Sequence, residues 1–599
     1  MLEKNWQYYP SLPEDLKQAD SYIPLLIRQL LYNRNLKSIQ EMEEFLSISL
    51  KDADFDPVGD WFFSHNPFLF KDMQKAVELI IEKIKNQEKI LVYGDYDVDG
   101  VTATVLVLET LKILGASVDI YLPDRVSEGY GLNKEAIDKI SEDGTKLIIT
   151  VDNGIRNFRE VDYAKSLGLD IIVTDHHVLP ENEEEIPKCL VIDSADPNSG
   201  YPFSLLAGVG VAFKLVSALI YKSKLDRENR KQILEKNLDL VALGTIADLV
   251  PLVGENRLLV EKGLKVLNKN KRQGLNALIK IISRSDKDLK AWNVAWQLAP
   301  RLNAASRIGH ANSAFSLLSS EDIFELKELA SELNKRNIER QEITKNIMAQ
   351  VEASIDPENL EPVIIGTASE EEFWNEGVIG LVAGKITDKY HRPSLIISRI
   401  VEEAKYDEKE KTMKAVKTSF KGSGRSIEGF NLIEAVEKGA EFLDKYGGHP
   451  MACGFSIKDE ENYKKFVEVI KQETRKIDPK NLIPKLKIDA LISFSEISND
   501  LVLEIEKLAP FGQNNWQPKL ASQKTLLEDV SYVGSDGQHV KLRFSQDKFS
   551  VPAIFFNGQA LCENLEIGKE YDLVFYLDIN EYNGKREVQL KIIDIKKSQ

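Results

Sequence analysis

Between Lys89 and Ile192 the chain alternates short apolar runs with longer amphipathic stretches. The runs read KILVYG, SVDIYL, KLIITV, LDIIVT and CLVI. Strands this apolar, separated by helix-length segments such as VTATVLVLETLKILG and IRNFREVDYAKSLG, predict a parallel α/β sheet covered on both faces. That architecture restricts where ligands bind, because an open parallel sheet presents its crevice at the carboxyl ends of the strands. Polar clusters fall at those ends. Asp95, Asp97 and Asp99 follow the first run, Asp152 and Asn153 the third, and Asp175, His176 and His177 the fourth. Separate parts of the chain thus deliver acids and histidines to one edge.

The first cluster, DYDVDG, opens like an EF-hand loop. An EF-hand needs a bidentate Glu at position twelve and helices on both sides. Counting from Asp95, position twelve is Leu106, and a strand-like run precedes the loop. The aspartates therefore belong to a strand-to-helix turn.

Carboxylates and imidazoles without a thiolate suit Mn²⁺ or Mg²⁺ better than structural zinc. Converging carboxylates repel unless cations lie between them. Two ions about 3.5–4 Å apart, sharing a carboxylate, form the usual arrangement for displacement at phosphorus. A lone D-x-D is a weak signal, and His176 alone would more often be a core or surface histidine. D-x-D, D-N-G and D-H-H on successive strand ends form a strong one.

The 599 residues suggest roughly three to five domains. No apolar run approaches the roughly 20 residues of a membrane span, the first residues lack an apolar signal core, and Cys189, Cys453 and Cys562 form no CxxC pair. A cytoplasmic location with no membrane association is the default expectation. The net charge of −17 opposes nucleic-acid binding, but Lys262 to Gly309 holds eleven Lys or Arg against Asp286 and Asp288. A solvated face and a phosphate-tracking surface both fit that excess.

Residues 1–75 read as a helical, turn-rich segment and 76–312 as the α/β domain. In 313–355, Leu326, Leu329, Leu333 and Ile343 share one stripe of a connector helix, and 356–480 form a second α/β domain. The charged VEEAKYDEKEKTM within it predicts a solvated loop. From 481 to 599, strand-like runs between turn signals predict a small β-barrel.

DYDVDG, VDNGI, VTDHH and GTIADLVPL resemble the four motifs of the DHH phosphoesterase superfamily. RLNAASRIG, EGVIGLVAGKI, GGHPMACGFSI and LAPFGQNN, in that order, narrow the resemblance to the RecJ family of single-strand-specific DNA exonucleases. It covers residue 66 to the end and implies a DHH domain, a connector helix, a DHH-associated domain and an OB-type barrel. It implies Asp95, Asp97, Asp152, His176 and Asp248 as ligands of two Mn²⁺ or Mg²⁺ ions, with Asp152 bridging. His177 would face the scissile phosphate and Asp175 would orient a ligand, while Asp99, where other branches of the superfamily carry an apolar residue, reads as structural or as orienting other groups. Ser423, Arg425, Gly447, Gly448 and His449 would bind phosphate, and Arg301 and Arg307 the DNA backbone or its 5′ end. The implied activity is 5′→3′ release of 5′-mononucleotides from single-stranded DNA in repair and recombination, with a RecQ-type helicase and a single-strand-binding protein as partners.

Two departures stand out. Asn375 replaces the histidine of W-H-E-G, and Asn514-Asn515-Trp516 alters F-G-x-G-N-P. A lone Trp such as Trp516 is expected in the core, with base stacking as the alternative. A DHH phosphodiesterase of short oligonucleotides or cyclic dinucleotides is the nearest alternative reading, and a non-catalytic replication scaffold a more distant one. The barrel and connector argue against the first, and the filled ligand positions against the second.

Overall fold

The computed structural model describes residues 3–47, 55–58, 64–125, 127–269, 272–282, 288–357, 359–369, 372–407, 412–534, 536–582 and 585–598. Part of the basic stretch 262–309 lies outside them. The chain forms two compact units, Tyr8–Arg336 with Ile488–Gln599, and Met1–Gln7 with Asn337–Lys487.

The larger unit contains the parallel sheet. Its strands are β1 (Lys89–Tyr93), β2 (Val118–Tyr121), β3 (Thr145–Val151), β4 (Asp170–Asp175) and β5 (Leu190–Asp193), in the order β2-β1-β3-β4-β5. Helices α1 (Val98–Ile113), α2 (Lys134–Glu142) and α3 (Phe158–Ser166) make the crossovers. Ile90, Val92, Leu147 and Ile149 enter one core, and Leu91, Tyr93 and Ile148 the other. Burial on both faces is why these strands read as continuous apolar runs. Helices α4 (Gly208–Lys222) and α5 (Arg227–Ala247) fill out the first core.

The same unit holds the barrel. A short strand, Ala490–Leu491, precedes β6 (Leu520–Val533), β7 (His539–Gln546), β8 (Phe549–Phe555), β9 (Glu570–Tyr582) and β10 (Lys585–Lys597). The ring runs β6-β7-β8-β10-β9 and closes because β9 also pairs with β6, with Leu520 opposite Phe575. Closure leaves the ring no free edge. Helices Leu25–Asn33 and Ile39–Ser47 pack onto it, burying Ile27, Leu30, Leu31 and Met42 with Phe494, Leu527, Phe544 and Phe575. Trp516 is not in that core. It is 58% exposed, which corrects the expectation drawn from a lone Trp.

The connector is one helix, Ile323–Ala353, which runs from the larger unit into the smaller. It buries Leu326 and Leu333, while Leu329 and Ile343 are half-buried. The smaller unit has a mixed sheet. Strand Ile364–Thr367 lies beside Ser394–Asp407, which pairs antiparallel with Thr412–Arg425. Ala452–Ile457 and Lys445–His449 follow at the other edge. The expected loop at 401–413 is therefore wrong in its described part. Residues to Asp407 and from Thr412 are paired strand, with Val401 opposite Thr418 and Asp407 opposite Thr412, and 408–411 lie outside the described residues. The charged residues that make up most of this stretch hide a ladder, because strand recognition depends on apolar alternation.

Among the described residues no helix is long and apolar enough to cross a membrane.

Candidate metal centre

The turn after β1 places its three aspartates by helix capping. Asp97 is the N-cap of α1, and its Oδ1 accepts from the N–H groups of Asp99 (2.9 Å) and Gly100 (3.1 Å). This satisfies donors orphaned at a helix start. A Cβ at Gly100 would stand 2.7 Å from the backbone of Asp95, so only glycine lets the helix begin there. Asp99 turns the other way, toward the start of α4. Its Oδ2 accepts from Gly208 N (2.7 Å) and its Oδ1 from Val209 N (2.9 Å).

Asp152 follows β3 in the left-handed region, at φ 62°, with its N–H donating to Thr174 O (3.0 Å). Such a conformation is tolerated by Asp better than by most residues, and its cost is commonly borne at functional sites. Gly208 makes room for this side chain, since a Cβ there would meet Asp152 Oδ1 at 2.5 Å. Asp175, at the end of β4, is saturated. Oδ2 accepts from Ile155 N (3.0 Å), and Oδ1 from His176 N (2.8 Å) and His177 Nδ1 (2.7 Å). Asp248 is the C-cap of α5.

These residues converge. Ligating atoms of Asp95, Asp97 and Asp152 lie within 4.8 Å of one another, as do those of Asp152, His176 and His177, and those of Asp99, His176 and Asp248. His176 Nε2 stands 3.1 Å from Asp152 Oδ1, 3.7 Å from Asp248 Oδ2 and 3.9 Å from Asp99 Oδ2. Despite the short first distance, neither His176 Nε2 nor Asp152 Oδ1 has a hydrogen-bond partner, and Asp95 Oδ1 has none either. Buried acceptors rarely go unsatisfied. Here they face one another, as they would around a cation.

The electrostatics agree. Burial first, and repulsion between neighbouring carboxylates second, drives Asp95, Asp152 and Asp248 well above the usual carboxylate range. The same causes move Asp99 to about 7. Burial, then the charge on His177, lowers His176 to about 4, leaving it neutral with a lone pair to donate. Burial also opposes charge on His177, but the Asp175 hydrogen bond and nearby acids outweigh it and raise its pKa to about 9. Divalent cations would relieve the repulsion, and the oxygen and imidazole donors suit Mn²⁺ or Mg²⁺.

A cavity of about 280 Å³ opens at this point, lined among others by Asp95, Asp97, Asp152, His177, Asp248 and Arg307. Five further lining residues, Tyr96, Arg125, Tyr130, Ala247 and Asn303, were not singled out from sequence. The Tyr130 hydroxyl lies 3.1 Å from Asp152 O and 3.0 Å from His177 Nδ1. Arg125 sits over the Tyr96 ring, 4.7 Å from its centroid. Tyr96 and Asn303 lie inside the DYDVDG and RLNAASRIG motifs, and the local signal for Tyr130 was SEGYGL, where Gly129 and Gly131 both have positive φ. Arg301 does not line the cavity. Its Nε donates to Asn334 Oδ1 (3.0 Å) and its Nη1 to Gln297 O (2.7 Å).

In the smaller unit, cross-strand register sets Gly447, Gly454 and Ser423 in one row, and His449, Ala452 and Arg425 in the next row of the same face. Gly447 and Gly454 have open space above them. Gly448, at φ 151°, is packed against the backbone of Ala452 and Cys453. Arg425 is held by Ser423 Oγ (3.3 Å) and Gly424 O (2.8 Å). Asn375 caps the helix Glu376–Tyr390, accepting from Gly377 N (2.9 Å).

Comparison with known proteins matches residues 89–245 to the DHH family N-terminal domain, 361–476 to the DHHA1 domain and 488–594 to the RecJ OB domain. The single-stranded-DNA-specific exonuclease RecJ of Bacillus subtilis is 38% identical over 96% of this chain and 68% of its own length. That of Escherichia coli is 32% identical over 96% of each chain. The crystal structure of RecJ in complex with Mn²⁺ from Thermus thermophilus superposes with a TM-score of 0.79, at 26% identity, over 99% of this chain and 80% of that one. On these grounds the chain belongs to the RecJ family of the DHH phosphoesterases.

Proposed function

We propose that this chain is a metal-dependent exonuclease that degrades single-stranded DNA from the 5′ end, releasing 5′-mononucleotides, in repair and recombination. The observation that carries the reading is the set of buried, unpartnered acceptors on Asp95, Asp152 and His176 facing one another beneath an open cavity. Relatives named as single-stranded-DNA-specific exonucleases support the choice of substrate.

Asp95, Asp97, Asp152, His176 and Asp248 would hold two Mn²⁺ or Mg²⁺ ions, with Asp152 shared. The ions would supply Lewis acidity to a phosphodiester and activate water for attack. The chain's own residues do the positioning. Asp97 commits Oδ1 to capping α1 and keeps Oδ2 for the site. Asp99 ties the start of α4 to the first turn. Asp175 holds His177 Nδ1, which leaves Nε2 as the nitrogen for a substrate oxygen, and Tyr130 steadies the same ring against the Asp152 backbone. Arg125 and Arg307 set positive charge in the wall of the same cavity, as a phosphate requires.

In the smaller unit, Ser423, Arg425, Gly447, Gly448 and His449 would take phosphates of the strand, with glycine rows admitting a backbone where side chains would block it. We read the boundaries as 1–75, 76–312, 313–355, 356–480 and 481–599. A cytoplasmic location and partnership with a RecQ-type helicase and a single-strand-binding protein, which would expose and cover the substrate, complete the proposal.

The test is cleavage of 5′- and 3′-labelled single-stranded, duplex and dinucleotide substrates with Mn²⁺ or Mg²⁺. Mononucleotide release from the 5′ end of single strands alone is expected. Preference for dinucleotides would favour the oligonucleotide phosphodiesterase reading instead.

A further inference from the structure

One helical segment connects the cavity to an exposed aromatic surface. It begins as a turn at Ala291–Asn293, widens into a π-helical stretch at Val294–Leu298 and continues as an α-helix over Ala299–Ile308. Its last part brings Asn303 and Arg307 into the cavity wall, and Asn303 Oδ1 accepts from Val98 N (3.1 Å) at the start of α1. Its first part carries Trp292 and Trp296, which are 61% and 68% exposed, while Val294 and Leu298 anchor the other side in the core. Large indoles are usually well covered, so two of them four residues apart on the outside call for an occupant. With the wider turn of the π stretch counted, Trp292, Trp296, Asn303 and Arg307 fall roughly on one face.

The charge of this segment names the occupant. In a chain of net charge −17, residues 289–320 contain Lys290, Arg301 and Arg307 and not one Asp or Glu. The segment itself carries no acid, although its Lys290 pairs with Glu506 (2.6 Å); an aromatic surface continuous with a phosphodiester site matches a polyanion with flat, stackable rings. A helix rise places Trp296 about 16 Å from Arg307 along the axis, the length of roughly five nucleotides at the 3.4 Å rise of a stacked strand.

We propose that Trp292 and Trp296 form a base-stacking platform for the single strand several nucleotides from the scissile phosphate. The inference rests on the nuclease reading for what lies in the cavity. Stacking is sequence-tolerant, so the platform would grip any unpaired strand long enough to reach it.

The test uses the full-length, Mn²⁺-loaded protein and a phosphorothioate oligothymidylate of about fifteen nucleotides, which resists cleavage; Trp292→Ala/Trp296→Ala should bind it at least tenfold more weakly, given what each stacked base contributes. Trp292→Phe/Trp296→Phe should stay within about threefold of wild type, because a phenyl ring still stacks. Indole fluorescence of the wild type should be quenched by the strand, and the quench should disappear in the alanine variant. Among cleavable substrates, the ratio of kcat/KM on the long strand to that on a dinucleotide should fall with the alanine variant. Equal binding and an unchanged ratio in both variants would overturn the platform. If the wild-type protein cleaves no DNA, the nuclease reading fails, while the binding and quenching measurements still decide whether the indoles stack on bases.

Discussion

Replacing Gly208 by alanine tests the site without touching a ligand. The added Cβ would stand 2.5 Å from Asp152 Oδ1, 2.6 Å from its Cβ and 2.7 Å from its Cγ. Ordinary contact begins near 3.4 Å, so the carboxylate or the start of α4 must move by close to an ångström. Neither gives easily. Asp152 is fixed by its left-handed backbone and its bond to Thr174 O, and the Gly208 N–H is committed to Asp99. A misplacement of that size costs on the order of 10²-fold in rate, about 2.7 kcal/mol of transition-state stabilisation. Overpacking adds about 1–3 kcal/mol of destabilisation. The expected result for Gly208→Ala is a roughly hundredfold lower kcat/KM on a 5′-labelled single strand, with weaker Mn²⁺ binding by calorimetry. Gly384→Ala is the contrast. That helical glycine has open space where the Cβ would go, so the change should stabilise the protein by about 0.5–1 kcal/mol. Wild-type turnover and Mn²⁺ affinity in Gly208→Ala would refute the reasoning, because Asp152 would then not need the place the structure gives it.

Asp152→Asn should abolish cleavage yet leave the metal-free protein folded, since one of several mutually repelling carboxylates is gone; Mn²⁺ should raise Tm in the wild type and not in this variant. Arg425→Ala should leave the metals bound but weaken strand binding by about 1–3 kcal/mol, with a salt slope shallower by about one unit; unchanged affinity at all salt concentrations would reduce GSGRS to a structural strand end. Asp193 is buried beside Asp175, its Oδ2 has no hydrogen-bond partner, and burial followed by the Asp175 charge raises its pKa to about 8 against the opposing pull of the Ala195 N–H and His177. A raised carboxyl pKa means the folded state holds a proton that the unfolded state releases above about pH 4, so this residue makes stability fall as pH rises from about 4 to 8, by up to about 1.4 kcal/mol per unit. Asp193→Asn should flatten that slope in urea titrations across the range, and an identical slope would contradict the assignment.

The parallel sheet was legible because each strand is buried on both faces, and burial writes itself into sequence as Ile, Leu and Val. The acids at its edge were legible because a strand end fixes where its next residue points. Capping gave Asp97 a backbone task that the D-x-D spacing alone did not reveal. Tyr130 was not legible. It lies 22 residues before Asp152, and only folding brings its hydroxyl to the His177 ring. The charged ladder around 401–413 was misread because it has no apolar alternation, and Trp516 because residue type speaks for the average environment of a Trp and not for this one. The Asn375 departure lost much of its weight once the side chain was seen to cap a helix.

The shared core of the early helices and the barrel has a consequence for synthesis. Arg34 Nε donates to Asn515 Oδ1 across 481 positions of chain, and Leu30, Leu31 and Met42 are covered by strands that follow residue 519. At about 5–20 residues per second, a ribosome needs roughly 25–100 seconds to deliver the partner of a helix it has already released. For that interval the helix carries an uncovered apolar stripe, open to chaperones and proteases. A stalled or prematurely terminated chain keeps the stripe exposed indefinitely. Only a product translated through the barrel strands can cover those helices.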